Sequence, residues 1–288
     1  MVDAANPSQS LQDAQPTALG CRSAGEQHAA RNPCSTPFCK GGSPVQQARP
    51  VSGHHESEAT LRVAGLTPLS TTDFPGQLAA VVFVQGCAWR CRYCHNPEIQ
   101  SRREAPERTW QSVLDFLDRR HGLLDAVVFC GGEPTVDRQL SRAIDDVRQR
   151  GFKVGLHTAG IYPGRLRALL PKLDWVGFDV KAPFDDYART TGVRASGTPA
   201  RESLEHLLAS GVAHEVRTTH HPALLPADKL KSMAAALRHQ GVRTFALQEF
   251  RPHGCADASL DSQPPPLADD DAAYLRQLFP TFILRRAN

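Results

Sequence analysis

Six short apolar runs, each followed by a helix-periodic stretch, constrain this chain more than any other feature of its sequence. The runs fall at 80–84, 126–129, 153–156, 175–180, 215–218 and 244–247. Between them, apolar residues recur at i, i+3, i+4 and i+7. Trp110, Val113, Leu114 and Leu117 form one such stripe, and Leu230, Met233, Ala234 and Leu237 another. Strands that alternate with amphipathic helices are joined by crossovers, so they lie parallel in one sheet with the helices packed against it. Gly151, Gly211 and Gly241 stand where a helix must stop before the next strand. Thr198 followed by Pro199 reads as a helix start, with the hydroxyl capping and the ring in the first turn. The pattern predicts an α/β fold, a partial (β/α)6 barrel, with a doubly wound open sheet as the competing arrangement. Either one gathers its chemistry at the C-terminal ends of the strands.

The regular pattern starts at residue 61. Residues 1–60 are rich in Ser, Pro, Gln, Ala and Gly and have no hydrophobic period. Such a stretch cannot bury enough apolar area to offset its ordering entropy. A disordered tail is therefore predicted for 1–60 and a barrel domain for 61–288. Cys21, Cys34 and Cys39 lie in the tail, at a spacing that matches no ligand framework. Met1 and Met233 are the only methionines, so a product without the tail would need a non-standard start codon, for example at Leu61 or Val63.

Net charge is +3, from 33 basic and 30 acidic residues, and no long run of like charge demands a nucleic-acid or membrane partner. No apolar stretch approaches the roughly 20 residues of a membrane-spanning helix. The N-terminus lacks the basic start and apolar segment of a secretory signal. The expected location is the cytoplasm, where thiols stay reduced and disulfides are a poor reading of the eight cysteines.

Three of those cysteines, Cys87, Cys91 and Cys94, fall within eight residues just past the first run. Cys91-Arg92-Tyr93-Cys94-His95 matches the C-x-x-C-H of covalent haem attachment, but that chemistry normally needs export and would leave Cys87 idle. A Cys3His zinc site would have to use the adjacent Cys94 and His95, which do not easily converge on one tetrahedron unless a distant residue replaces one of them. Simple burial of thiols does not produce this spacing. The remaining reading is an iron–sulfur cluster. Ordinary [4Fe–4S] clusters take four cysteines, so three leave one iron open.

Other unusual residues also follow the runs. The second opens into Gly131-Gly132-Glu133, where the glycines permit close backbone approach and a carboxylate can accept from an ammonium. The third ends in His157-Thr158-Ala159-Gly160, with His157 expected as a hydrogen-bonded strand-end residue rather than a ligand. Cys130 is expected to pack. The fourth carries Asp179 and Lys181, two apart and so on one face, which is costly inside a barrel unless they pair or meet a polar ligand.

The C-x3-C-x2-C spacing, with Tyr93 before its last cysteine, resembles that of the radical S-adenosylmethionine (SAM) enzymes, in the form used by glycyl-radical-enzyme activases. Over residues 61 to about 255 the chain is similar to the activating proteins of anaerobic (class III) ribonucleoside-triphosphate reductase. That likeness rests on Leu66-Thr-Pro-Leu-Ser-Thr-Thr-Asp73-Phe-Pro75-Gly76, His95-Asn96-Pro97, Asp179-Val-Lys181 and Arg217-Thr-Thr. The resemblance implies one [4Fe–4S] cluster on Cys87, Cys91 and Cys94. It also implies SAM held near Tyr93 and His95, with its amino group on Gly131, Gly132 and Glu133 and its carboxylate and ribose on Asp179 and Lys181. Thr158 is carried over although its surroundings depart from the Asp-Thr-Asn-Gly type of the family. His253 is the nearest match to a histidine that touches SAM after the last strand in pyruvate formate-lyase activating enzyme.

The implied activity is reductive cleavage of SAM, with an electron from flavodoxin or ferredoxin, and formation of a glycyl radical on a partner enzyme, the anaerobic ribonucleotide reductase. No cysteine lies between Cys94 and Cys130 and only Cys255 lies beyond, so a single cluster is expected. The alternatives are activation of another glycyl radical enzyme such as pyruvate formate-lyase, and small-molecule chemistry of the 7-carboxy-7-deazaguanine synthase kind. A zinc-loaded binding module is the reading from a different class.

Overall fold

The computed structural model describes residues 60–260 and 262–287, so the expected tail, with Cys21, Cys34 and Cys39, lies outside the described residues. The described residues form one eight-stranded sheet in which each strand pairs with the next in sequence. β1 (Val63–Ser70) runs antiparallel to β2 (Ala79–Val84). From β2 the chain passes through α1 (Trp110–Asp118) to β3 (Ala126–Gly131), α2 (Leu140–Gln149), β4 (Lys153–Thr158) and α3 (Pro163–Leu169). It continues through β5 (Trp175–Asp179), α4 (Tyr187–Thr191), α5 (Gly197–Ser210), β6 (Ala213–His220), α6 (Ala227–His239) and β7 (Thr244–Glu249). The last two elements are α7 (Asp269–Leu278) and β8 (Thr281–Arg285). Strands β2 to β8 are all parallel, and β1 does not pair with β8, so the barrel is left unclosed.

The six predicted strands are β2 to β7; the sheet adds one strand at each edge. β1 carries Gly65 and Pro68 and pairs with register shifts, features that an edge strand tolerates and that hide it from pattern reading. β8 has only five residues, all exposed or half-buried, too short to display a period. Both predicted stripes are buried, on α1 and α6. Gly151, Gly211 and Gly241 take φ of 81°, 74° and 106°, the left-handed conformation a helix stop requires. The Thr198–Pro199 start is corrected. α5 begins at Gly197 with no side-chain cap, and a Cβ at 197 would collide with the carbonyl oxygen of Phe184, so the first turn packs there only with glycine.

Alternation along the strands sorts the residues into two layers. Val82, Phe129, Leu156, Phe178, Val216 and Leu247 join the main core under the helices. Each such side chain contributes roughly 1.5–3 kcal/mol when fully buried. On the concave side Ala79, Val81, Ala126 and Val128 form a smaller cluster with Phe74 and Trp175, whose rings stack at 5.5 Å. Phe74 comes from the β1–β2 connection, so the Thr-Thr-Asp-Phe-Pro segment plugs the barrel floor, and Gly155 leaves room for its ring. No helix among the described residues is long and apolar enough to cross a membrane.

Candidate active site

Above the floor, at the C-terminal ends of β2 to β6, one cavity collects most of the chemically unusual residues. Its rim is the loop after β2, which contributes Cys87, Cys91 and Cys94, all half-buried. The backbone fixes this loop from several sides. Gly86 and Cys87 donate to the carbonyls of Ile99 and Gln100, and Cys94 donates back to Cys91 at 3.0 Å. Arg90 and Arg92 donate to Thr191 and Thr190 at the end of α4. From 251 to 259 the chain straps the loop down: the Arg92 guanidinium meets Asp257 at 2.7 Å and Ser259 at 2.8 Å, and the Cys255 thiol donates to the Arg92 carbonyl.

Glycine chemistry joins the second motif to the first. Gly131 has φ of 115°, and a Cβ at 132 would collide with the Gly86 carbonyl oxygen, to which Glu133 N–H donates at 2.8 Å. The Gly-Gly pair therefore lays Glu133 directly under the cysteine loop. Its carboxylate accepts from Thr135 N–H and Oγ1, from Thr158 Oγ1 at 2.7 Å and from Ala159 N–H at 2.8 Å. Burial raises the Glu133 carboxyl above the usual range, opposed by these donors. Thr158, also in the cavity lining, thus acts on Glu133 and fixes its position.

The opposite wall is ionic. Asp179 lies between Arg217 Nε at 3.0 Å and Lys181 Nζ at 3.5 Å. Burial works against the Asp179 charge, but Arg217 and Lys181 outweigh it and hold the carboxyl below its ordinary range. Burial likewise opposes the Lys181 ammonium, while Tyr93, Asp179 and Cys91 raise it well above the usual lysine value. The Tyr93 ring centroid is 5.5 Å from Lys181 Nζ, and Tyr187 Oη accepts from the Lys181 N–H. His157 bonds the Asp73 carbonyl at 2.8 Å, and burial and then Arg217 lower it to about 4, so it is neutral at pH 7. The expected hydrogen-bonded role of His157 is met.

Of the residues singled out from sequence, Cys87, Cys91, Tyr93, Cys94, His95, Gly131, Gly132, Glu133, Thr158, Asp179 and Lys181 all line this one cavity. His253 is the correction: it is exposed on the strap and is not part of the lining. The strap instead offers the Arg251 carbonyl to His95 Nε2 at 2.8 Å and stacks Phe250 on the His95 ring. Cys130 and Arg217 also face the cavity and were not assigned to the site. Arg217 was detectable only through register, since it is the cross-strand partner of Asp179.

The donor set fits an iron–sulfur group. Three thiols share one rim, and burial pushes Cys87 up to about 12 and Cys91 upward as well, so their thiolates need a bound cation. Among the described residues no three His, Cys, Asp or Glu side chains converge on a single-ion position. A cluster does not need that convergence, because its irons occupy separate corners, whereas a mononuclear zinc site does. The cavity beyond the thiols offers two cations, Lys181 and Arg217, and two carboxylates, Glu133 and Asp179, groups that complement a zwitterionic amino acid.

Residues 81–240 match the radical SAM superfamily. A protein of Methanocaldococcus jannaschii named as a glycyl-radical enzyme activating enzyme is 29% identical over 213 residues, 71% of this chain and 86% of its own. The pyruvate formate-lyase-activating enzyme of Clostridium pasteurianum is 32% identical over 46% of this chain and 57% of its own. The 7-carboxy-7-deazaguanine synthase of Rhodopirellula baltica is 25% identical over 67% and 72%. Among solved structures, Streptococcus suis SuiB bound to S-adenosylmethionine shares the fold with a TM-score of 0.53 at 12% identity. That match covers 71% of this chain and about half, 48%, of SuiB.

Proposed function

The chain belongs to the radical SAM superfamily, whose members use a [4Fe–4S] cluster and S-adenosylmethionine, and from that premise we propose that it is an activase that generates a glycyl radical on anaerobic ribonucleoside-triphosphate reductase. The observation that carries the reading is the shared cavity: three thiols on the rim, Glu133 beneath them and the Asp179–Lys181–Arg217 wall opposite. Cys87, Cys91 and Cys94 would hold the cluster. When bound, the cluster supplies one electron to the sulfonium of SAM, and radical hydrogen abstraction follows from that cleavage.

The protein's own part is orientation. Glu133, with the backbone around Gly131 and Gly132, accepts the substrate ammonium; Thr158 and Ala159 hold that carboxylate in place. Lys181 and Arg217 meet the substrate carboxylate, and Asp179 keeps both cations in position. Tyr93, Trp89 and Phe250 are buried around the rim and exclude water.

Three features favour a protein substrate and the reductase branch. The M. jannaschii relative aligns over most of both chains. The sheet is open between β1 and β8, which suits a glycine-bearing loop. The 66–76 segment, which resembles that of the reductase activases, forms the barrel floor through Phe74. Residues 61–288 constitute the working domain, and a chain lacking residues 1–58 should retain cluster, fold and SAM cleavage. The electron donor is a flavodoxin or ferredoxin.

Reduced protein with SAM should place a doublet glycyl radical signal on the anaerobic reductase by electron paramagnetic resonance. A signal on a formate-lyase and none on the reductase would transfer the function to the second reading, favoured by the C. pasteurianum relative.

A further inference from the structure

A second cavity, of about 600 Å3, shares no residue with the active-site cavity. Four arginines line it: Arg62 from just before β1, Arg102 and Arg108 from the β2–α1 connection, and Arg138 from the turn that leads into α2. Hydrogen bonds tie these segments together. Arg108 N–H donates to the Val63 carbonyl at 3.2 Å, and Arg62 N–H donates to Asp137 Oδ2 at 3.3 Å. The Arg62 guanidinium donates to the carbonyls of Arg102, at 3.1 Å, and Glu104. The cavity also borders the cysteine loop, since a Cβ at Gly86 would lie 2.5 Å from Arg102 Cγ.

The charges in this lining do not balance. Asp137 is its one carboxylate among the described residues, and both its oxygens are engaged. Oδ2 accepts from Arg102 at 3.0 Å and from Arg62 N–H, and Oδ1 accepts from Gln139 N–H at 2.9 Å. Glu107, outside the lining, meets Arg108 at 3.7 Å, but the two side chains are 63% and 47% exposed, so water screens the pair. Arg62 spends its bonds on neutral carbonyls, and its buried Nε N–H has no acceptor among the described residues. Arg138 is exposed and has no acidic partner among the described residues. α2 starts at the same wall. Its Gln139 makes no side-chain cap and its first turn holds no acid, so the positive end of the helix adds to the field.

Four guanidiniums against one carboxylate complement an anion that carries several charges. Guanidinium forks match phosphate oxygens two at a time, a geometry that several arginines can share on one phosphate chain. The volume lies within the range of small-molecule sites, and Leu61 and Pro106 give the lining an apolar part as well. We infer that this cavity binds a small molecule bearing a chain of phosphates, either a free polyphosphate or a nucleotide. The inference goes beyond the radical SAM reading and does not depend on it.

Titration calorimetry of the full chain tests it, with tripolyphosphate, ATP, inorganic phosphate and citrate as probes. Tripolyphosphate and ATP should bind saturably, with affinity that falls as salt rises, and inorganic phosphate should bind more weakly. Tighter binding of ATP than of tripolyphosphate would identify a nucleotide as the ligand; equal binding would identify the phosphate chain alone. R138E should weaken tripolyphosphate binding roughly tenfold, and R138Q, which only removes the charge, roughly threefold. Neither should change the titration with SAM, because Arg138 lies outside the active-site cavity. Wild-type affinity for tripolyphosphate in both variants would overturn the site, as would the absence of saturable binding of both tripolyphosphate and ATP. Citrate bound as tightly as tripolyphosphate would overturn the assignment to phosphate. Each of these results leaves the radical SAM reading where it stands.

Discussion

On β5, Val176 and Phe178 pack under the helices, while Gly177 and Asp179 face the barrel interior. The same split runs along β3, where Phe129 lies in the helix-facing core and Cys130 lines the cavity, and along β4, with Leu156 and His157. One face of the sheet is thus apolar from β2 to β7, and the other changes from Ala79, Val81 and Val128 at its floor to charge at its top. The outer face provides stability. The inner face spends some of it to hold buried charges, which persist only because each has a partner. Gly177 illustrates the dependence: a Cβ there would lie 2.8 Å from the Arg217 guanidinium, so the missing side chain on β5 makes room for the cation from β6.

The sharpest way to break this contrast is on the outer face. Phe178→Ala should lower unfolding free energy by about 3–5 kcal/mol, read by denaturant titration, because it empties a fully buried site. Loss of SAM affinity at unchanged stability would mean the faces are not separable. Next in size, Glu133→Ala and Asp179→Ala should keep iron but bind SAM about 30- to 150-fold more weakly, on the order of 2–3 kcal/mol. Titration curves like wild type would assign those carboxylates to structure alone.

His157 gives a smaller effect that depends on pH. Its folded value near 4 lies below the ordinary 6.5, so between those values the unfolded chain holds the extra proton. The stability from keeping His157 neutral is complete above about pH 6.5 and declines as pH falls toward 4, by up to about 1.4 kcal/mol per pH unit. His157→Gln should flatten that part of the stability profile; an unchanged slope would place its origin elsewhere. Smallest, Thr109→Ala should cost about 1 kcal/mol by removing the acceptor for Ser112 N–H at the start of α1, with no change in SAM binding.

What the sequence made legible follows the same division. Short apolar runs and helix-period stripes report burial against helices, so β2 to β7 and the α1 and α6 stripes could be read directly. The cysteine spacing and Gly-Gly-Glu were legible because they are contiguous. Arg217 and the Phe74 floor were not, since one depends on strand register and the other on a loop inserted from β1. His253 misled for a related reason: the strap after β7 turns at Gly254, φ 82°, packing its backbone on His95 and leaving the imidazole outside. The edge strands escaped because edges are short or interrupted and bury little.

The central claim is that Cys87, Cys91 and Cys94 hold one iron–sulfur cluster above the ionic wall. Anaerobic reconstitution followed by metal and sulfide analysis tests it most directly. The account predicts about four irons and four sulfides per chain, lost in each of Cys87→Ala, Cys91→Ala and Cys94→Ala. Stoichiometric zinc in the purified protein, with no uptake of iron on reconstitution, would contradict it.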